Sequence, residues 1–62
     1  MQTLTRKQQE ILILAKNEGY YDSPRRVTLE DLSNRAGLSK ATIAEHLRKA
    51  ENQIINSVLA GY

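Results

Sequence analysis

The chain has 62 residues, of which nine are Lys or Arg and seven are Asp or Glu, giving a formal net charge of +2. This length suits one domain, and the lack of cysteine excludes a disulfide framework and a zinc ribbon. A lone His46 cannot build a metal site, and no apolar run approaches the roughly 20 residues of a membrane span. We expect one cytoplasmic domain without metal, cofactor or membrane contact.

The first predicted helix spans about residues 6–18. Thr5 followed three residues later by Gln8 fits a capping box, and Gly19 can adopt the left-handed conformation that ends a helix. We expect Met1 to Thr3 to fray before it. Apolar residues recur at helical spacing, which predicts an inward face. That face comprises Ile11, Leu12 and Ala15.

The second predicted helix, at about residues 29–36, follows a loop in which one of two adjacent tyrosines is expected to fold inward. Thr28 is a good N-cap, and Glu30 and Asp31 place negative charge at the positive end of the helix dipole. Gly37 supplies a left-handed turn at the exit. The predicted inward face comprises Leu29, Leu32 and Ala36.

The third predicted helix opens after Ser39 and continues over about residues 40–60 without Gly or Pro. Leu38 is expected to pack as an apolar plug in the turn before it. The predicted inward stripe comprises Ile43, Leu47, Ala50 and Ile54. A short helix, a glycine turn and a longer helix form a helix-turn-helix. We therefore predict an all-α, three-helix domain with an extended C-terminal recognition helix.

The outward side of the third helix mixes small, hydrogen-bonding and cationic residues. Small residues let a helix enter the major groove of DNA, Arg and Lys can reach guanine edges or phosphates, and Thr can contact a thymine methyl. A solvated amphipathic face is the alternative, but a tight turn between two capped helices favours recognition. The predicted base-reading residues are Ser39, Lys40, Ala41, Thr42, Glu45 and Arg48.

A segment that leads into the first helix of such a motif commonly passes a phosphate strand, which makes Arg25 and Arg26 candidate backbone contacts. The alternative is a solvated basic loop. The predicted phosphate contacts are Arg25, Arg26, Thr28 and Lys49. The net charge of +2 is modest for a nucleic-acid binder, but the predicted surface collects several cations with Glu45 as its only central acid. We therefore predict moderate, salt-sensitive affinity for each copy. The cations are Arg25, Arg26, Lys40, Arg48 and Lys49.

The second half of the third helix carries more apolar residues than a domain of this size can cover. They can return onto the first helix or meet a second subunit. We predict a homodimer, and we expect Ile13 of the first helix to lie in its interface as well. The predicted interface residues are Ile13, Ile55, Val58 and Leu59.

The loop before the second predicted helix carries Gly19-Tyr20-Tyr21-Asp22 and Pro24-Arg25 at a fixed distance before Ser39-Lys40, and Glu45-His46-Leu47-Arg48 follows. With these motifs, nearly the whole chain resembles the helix-turn-helix domain of the bacterio-opsin activator family of archaeal transcription regulators. Ser33 departs from the alanine that motifs of this kind often carry, and His46 matches the family pattern. The resemblance implies a C-terminal DNA-binding module of a larger regulator, carried behind sensor-type domains.

Two other classes of function compete with binding to double-stranded DNA. The same fold can serve as a protein-interaction module, or dock on polymerase and the basal transcription machinery as the last region of a bacterial sigma factor does. The long uninterrupted third helix argues against the sigma-like reading. An enzyme is disfavoured, because the chain has no cysteine nucleophile, no Gly-rich phosphate loop and no pair of acids in an apolar pocket.

Overall fold

The computed structural model describes residues 4–61. Helix α1 spans Arg6–Glu18, α2 spans Leu29–Ala36 and α3 spans Lys40–Ala60. These bounds confirm the predicted all-α, three-helix architecture. The expectation that Met1 to Thr3 fray concerns residues outside the described range.

Each helix begins at a side-chain cap that the sequence indicated. The Thr5 hydroxyl accepts from the Gln8 N–H at 3.1 Å, and the Gln8 amide oxygen accepts from the Thr5 N–H at 3.2 Å. Thr28 and Asp31 form the same reciprocal pair before α2. The Ser39 hydroxyl accepts from an amide of the first turn of α3 at 3.1 Å. Because the first amides of a helix have no partner inside it, these caps fix where each helix starts.

The core lies where the three helices meet the loop before α2. Leu32 and Ile43 are its largest fully buried side chains, and they come from the two helices of the predicted motif. Val27 was not predicted as a core residue, because the short stretch before α2 has no periodicity from which burial can be inferred. The buried apolar residues are Ile11, Ala15, Tyr20, Val27, Leu32, Ile43, Leu47 and Ala50.

Hydrogen bonds around Ser33 close the turn between α2 and α3. Its carbonyl accepts from the N–H of Gly37 at 2.9 Å and from that of Leu38 at 3.2 Å. The Ser33 hydroxyl donates to the Leu38 carbonyl. Alanine at this position could make the two carbonyl bonds but not the third, so serine adds the hydroxyl bond to the turn.

Ile54 is 43% exposed, so its predicted place on the inward stripe of α3 was wrong and the stripe ends at Ala50. Ile54 has nearly the same angular position as Ile43, because the intervening residues make about three helical turns. Of the described residues outside α3, Leu4 lies beside Ile54. The periodic pattern thus continues past the point where the other helices stop covering it.

Gly19 and Gly37 end α1 and α2 with φ angles of 91° and 70°. A Cβ at Gly37 would meet nothing within 4 Å, whereas a Cβ at Gly19 would lie 2.7 Å from the Cβ of Arg26. A left-handed conformation costs other residues about 1–2 kcal/mol. We predict that Gly37→Ala lowers the free energy of unfolding by about 1 kcal/mol and Gly19→Ala by about 3 kcal/mol, measured by urea titration. Equal losses would contradict the close approach of Arg26.

Candidate nucleic-acid interface

The first half of α3 has one side in the core and the other in solvent. Ile43 and Leu47 are buried beneath it. Of the predicted base-reading residues, Thr42 is half-buried and its hydroxyl lies 2.9 Å from that of Ser39. The exposed members of the predicted set are Ser39, Lys40, Ala41, Glu45 and Arg48. The core therefore fixes the rotation of α3 so that these residues remain accessible.

One carboxylate oxygen of Glu45 is shared by two cations of α3. The Lys49 Nζ lies 3.3 Å from it and the Arg48 Nη2 lies 3.8 Å from it. Exposed ion pairs of this kind contribute little to stability, because water and salt screen them. Their main effect is on the electrostatic potential of the surface, because Glu45 cancels part of the positive charge that Arg48 and Lys49 present to a polyanion.

Arg25 lies over the ring of Tyr20, with its guanidinium carbon 4.4 Å from the ring centroid. Tyr20 is buried, which confirms that one tyrosine folds inward, and Tyr21 meets it edge-on at a centroid distance of 5.2 Å. The Tyr21 hydroxyl donates to Glu51 of α3. Partial burial and the neighbouring Glu51 carboxylate both raise the pKa of Tyr21. This chain of contacts fixes the position of Arg25 relative to α3.

A groove separates the loop before α2 from the start of α3. Arg26 is exposed, its Nε lies 3.3 Å from Asp22, and its backbone N–H donates to the Gly19 carbonyl at 3.0 Å. The groove thus brings together two predicted phosphate-contact arginines and the first residues of the predicted reading helix. Its lining includes Arg25, Arg26, Thr28, Lys40, Ala41 and Ala44.

Glu30 also lines this groove, although its sequence position indicated only a favourable charge at the start of α2. Its carboxylate lies 3.7 Å from the Nζ of Lys40. The prediction that Glu45 is the only central acid was therefore wrong. The Glu30–Lys40 contact joins the first turns of two different helices, so it depends on how those helices cross. Local sequence patterns contain no signal for it.

Thr28 is exposed, but the cap of α2 uses its polar groups. Its hydroxyl accepts from the Asp31 N–H at 3.2 Å and donates to the Asp31 carboxylate at the same distance. Its own N–H donates to that carboxylate at 2.9 Å. A phosphate could bind Thr28 only by displacing Asp31.

Among residues 4–61, no three His, Cys, Asp or Glu side chains lie together as a metal site requires. His46 is half-buried and lines a depression with Gln8 and Thr42. Over the same range, each helix is too short or too polar to cross a membrane.

The predicted dimer residues fall on two separate surfaces. Ile55, Val58 and Leu59 are each more than half exposed near the end of α3. Ile13 is 51% exposed on α1. A residue two positions from Ile11 lies about 200° around the helix, so Ile13 faces away from the core and is not continuous with the end of α3.

Transcription regulators of Haloferax volcanii resemble the chain. Its dimethyl sulfoxide reductase transcriptional activator is 34% identical over 58 residues, which are 94% of this chain and 27% of the activator. Its transcriptional regulator NarO is 29% identical over 56 residues, which are 90% of this chain and 26% of NarO. The chain therefore spans about a quarter of the length of these relatives. No solved structure matches it significantly.

A family model described as an HTH DNA binding domain matches residues 4–56. The match includes α1, α2, the glycine turn and most of α3, which are the elements that build the groove. The family is described by its DNA binding, and the resemblance to archaeal transcription regulators is confirmed. The chain therefore belongs to the HTH DNA binding domain family of the bacterio-opsin activator type.

Proposed function

We propose that this domain regulates transcription in the cytoplasm by binding a specific duplex DNA sequence with the first half of α3 in the major groove. The proposal rests on one observation: α3 is anchored in the core by Ile43 and Leu47 while Ala41, Glu45 and Arg48 are exposed. A helix fits the major groove when one side is free of protein. Ala41 is small, which lets the backbone approach base edges.

In this arrangement the outer side of α3 reads bases. Arg48 has the greatest capacity for discrimination, because a guanidinium can donate two hydrogen bonds to guanine O6 and N7. Glu45 can accept from a cytosine amino group or orient Arg48, which lies 3.8 Å away. Lys40 can donate to guanine from the start of the helix. The full proposed set remains Ser39, Lys40, Ala41, Thr42, Glu45 and Arg48.

Arg25, Arg26 and Lys49 are proposed to hold phosphates. Stacking on Tyr20 uses the flat face of the Arg25 guanidinium, so its edge can still donate to phosphate oxygens. We propose that Thr28 supports this set indirectly. Its hydroxyl is engaged in the cap with Asp31, and that cap orients the start of α2 beside the groove.

We further propose that two copies bind DNA together through the end of α3. Residues 52–61 contain no Asp, Glu, Lys, Arg or His. A two-fold interface brings identical residues close together, so a neutral segment avoids like-charge repulsion between copies. Ile54, Ile55, Val58 and Leu59 supply the exposed apolar area. The competing occupant of this surface is a protein of the basal transcription machinery.

Selecting bound sites from a random duplex library at fixed salt tests the proposed function. We expect one enriched sequence made of two half-sites, with their centres about one helical turn apart. Binding without enrichment would contradict sequence-specific recognition. Failure to bind any duplex would contradict the DNA-binding proposal itself and favour a protein-interaction module.

A further inference from the structure

We propose that Glu30 sets the ratio of specific to non-specific DNA binding by competing with phosphate for Lys40. This inference rests on the proposed DNA-binding function. The Glu30 carboxylate and the Lys40 ammonium are 3.7 Å apart, and their side chains are 70% and 60% exposed. Both residues line the groove that also contains Arg25 and Arg26. A phosphate strand in this groove would lie close to the Glu30 carboxylate.

The Glu30–Lys40 pair is one case of a wider pattern on this surface. Each cation proposed to contact DNA lies against a carboxylate or an aromatic ring of the domain. Where the internal partner is a carboxylate, a phosphate must compete with it for the cation. The pairs are Arg25 with Tyr20, Arg26 with Asp22, Lys40 with Glu30, and both Arg48 and Lys49 with Glu45.

The two modes of DNA binding place different demands on Lys40. In a specific complex Lys40 donates to a base edge, and the remaining ammonium hydrogens can still interact with Glu30. In a non-specific complex the affinity comes almost entirely from phosphate contacts. A phosphate that contacts Lys40 would bring a negative charge close to the Glu30 carboxylate, and the two charges would repel each other, whereas a base edge is neutral. Glu30 therefore opposes the non-specific complex more than the specific one.

Replacing Glu30 tests the competition between carboxylate and phosphate more cleanly than replacing Glu45. Glu45 projects from the reading side of α3 and is itself a proposed base contact, so its removal changes two interactions at once. Glu30 comes from α2, and the cap of that helix depends on Thr28 and Asp31. Replacing Glu30 thus removes the competing charge and leaves the proposed DNA contacts and the cap in place.

The test compares Glu30→Gln with Glu10→Gln as a matched control. Glu10 pairs with Lys7 on α1 at 3.9 Å, so the control makes the same charge change on a pair outside the groove. The full chain is titrated with random-sequence duplex and with the selected site at several salt concentrations. We expect Glu30→Gln to bind random duplex about three- to tenfold more tightly, with a log–log salt slope steeper by about 0.9. Its affinity for the selected site should change less than twofold.

Equal tightening in Glu10→Gln would overturn the inference, because net charge alone would then explain the gain. Equal tightening of Glu30→Gln on both duplexes would overturn it as well. Adding Lys40→Met should abolish the gain, and a gain that persists would show that Glu30 does not act through Lys40. A wild-type chain that binds no duplex would overturn the proposed function and this inference together. Circular dichroism checks that each variant is folded.

Discussion

Arg48→Ala should abolish discrimination at one base position of the selected site while leaving most of the affinity for unrelated duplex intact. The Arg48 side chain is exposed and its ion pair is with Glu45, so its removal leaves the core unchanged. A two-hydrogen-bond contact with guanine contributes about 1–3 kcal/mol of discrimination, which is roughly a 5- to 150-fold preference. Competition binding with site variants that differ at single positions measures this loss.

Arg26→Ala is the matched control, because it removes the same charge from the proposed phosphate set. It should weaken binding to all sequences alike and reduce the salt slope by about one phosphate contact. If Arg48→Ala also weakens all sequences alike, Arg48 contacts phosphate and the proposed orientation of α3 is wrong. If neither variant changes binding, the interface lies elsewhere on the domain.

The bounds of the helices could be predicted from the sequence because their signals are local. Thr5, Thr28 and Ser39 each precede a helix by one residue, and their hydroxyls accept from amides of the first turn. Gly19 and Gly37 end helices through a backbone conformation that other residues adopt at a cost. Each of these interactions involves residues within a few positions of one another, so the order of residue types specifies it.

The features that could not be predicted depend on residues that are distant in sequence. Ile54 has the angular position of a core residue, but its burial depends on how far α1 extends along α3. The Glu30–Lys40 pair depends on the crossing of two helices, and the place of Arg25 depends on the ring of Tyr20 beneath it. The predicted base-reading residues were chosen by helical phase, which gives the side of α3 but omits charges contributed by α2.

The double variant Ile55→Ser, Leu59→Ser should convert the proposed dimer to a monomer and greatly weaken binding to a duplex with two half-sites. Both side chains are exposed, so the fold of one copy should be retained. Full burial of such a side chain contributes about 1.5–3 kcal/mol, and two copies would lose four of them. Loss of the linked second contact lowers affinity by about 10²- to 10⁴-fold.

Ile13→Ser is the control for this double variant, because Ile13 is similarly exposed but lies on a different surface. All three substitutions are neutral, so the electrostatic attraction to DNA is unchanged and affinity for a single half-site should remain constant. Sedimentation velocity and half-site titrations measure the two effects separately. A dimer that survives the double variant but dissociates in Ile13→Ser would move the interface to α1. The wild-type chain could instead be a monomer that binds paired half-sites without cooperativity. A second copy would then have no part in recognition, and the neutral end of α3 would be a contact surface for another protein.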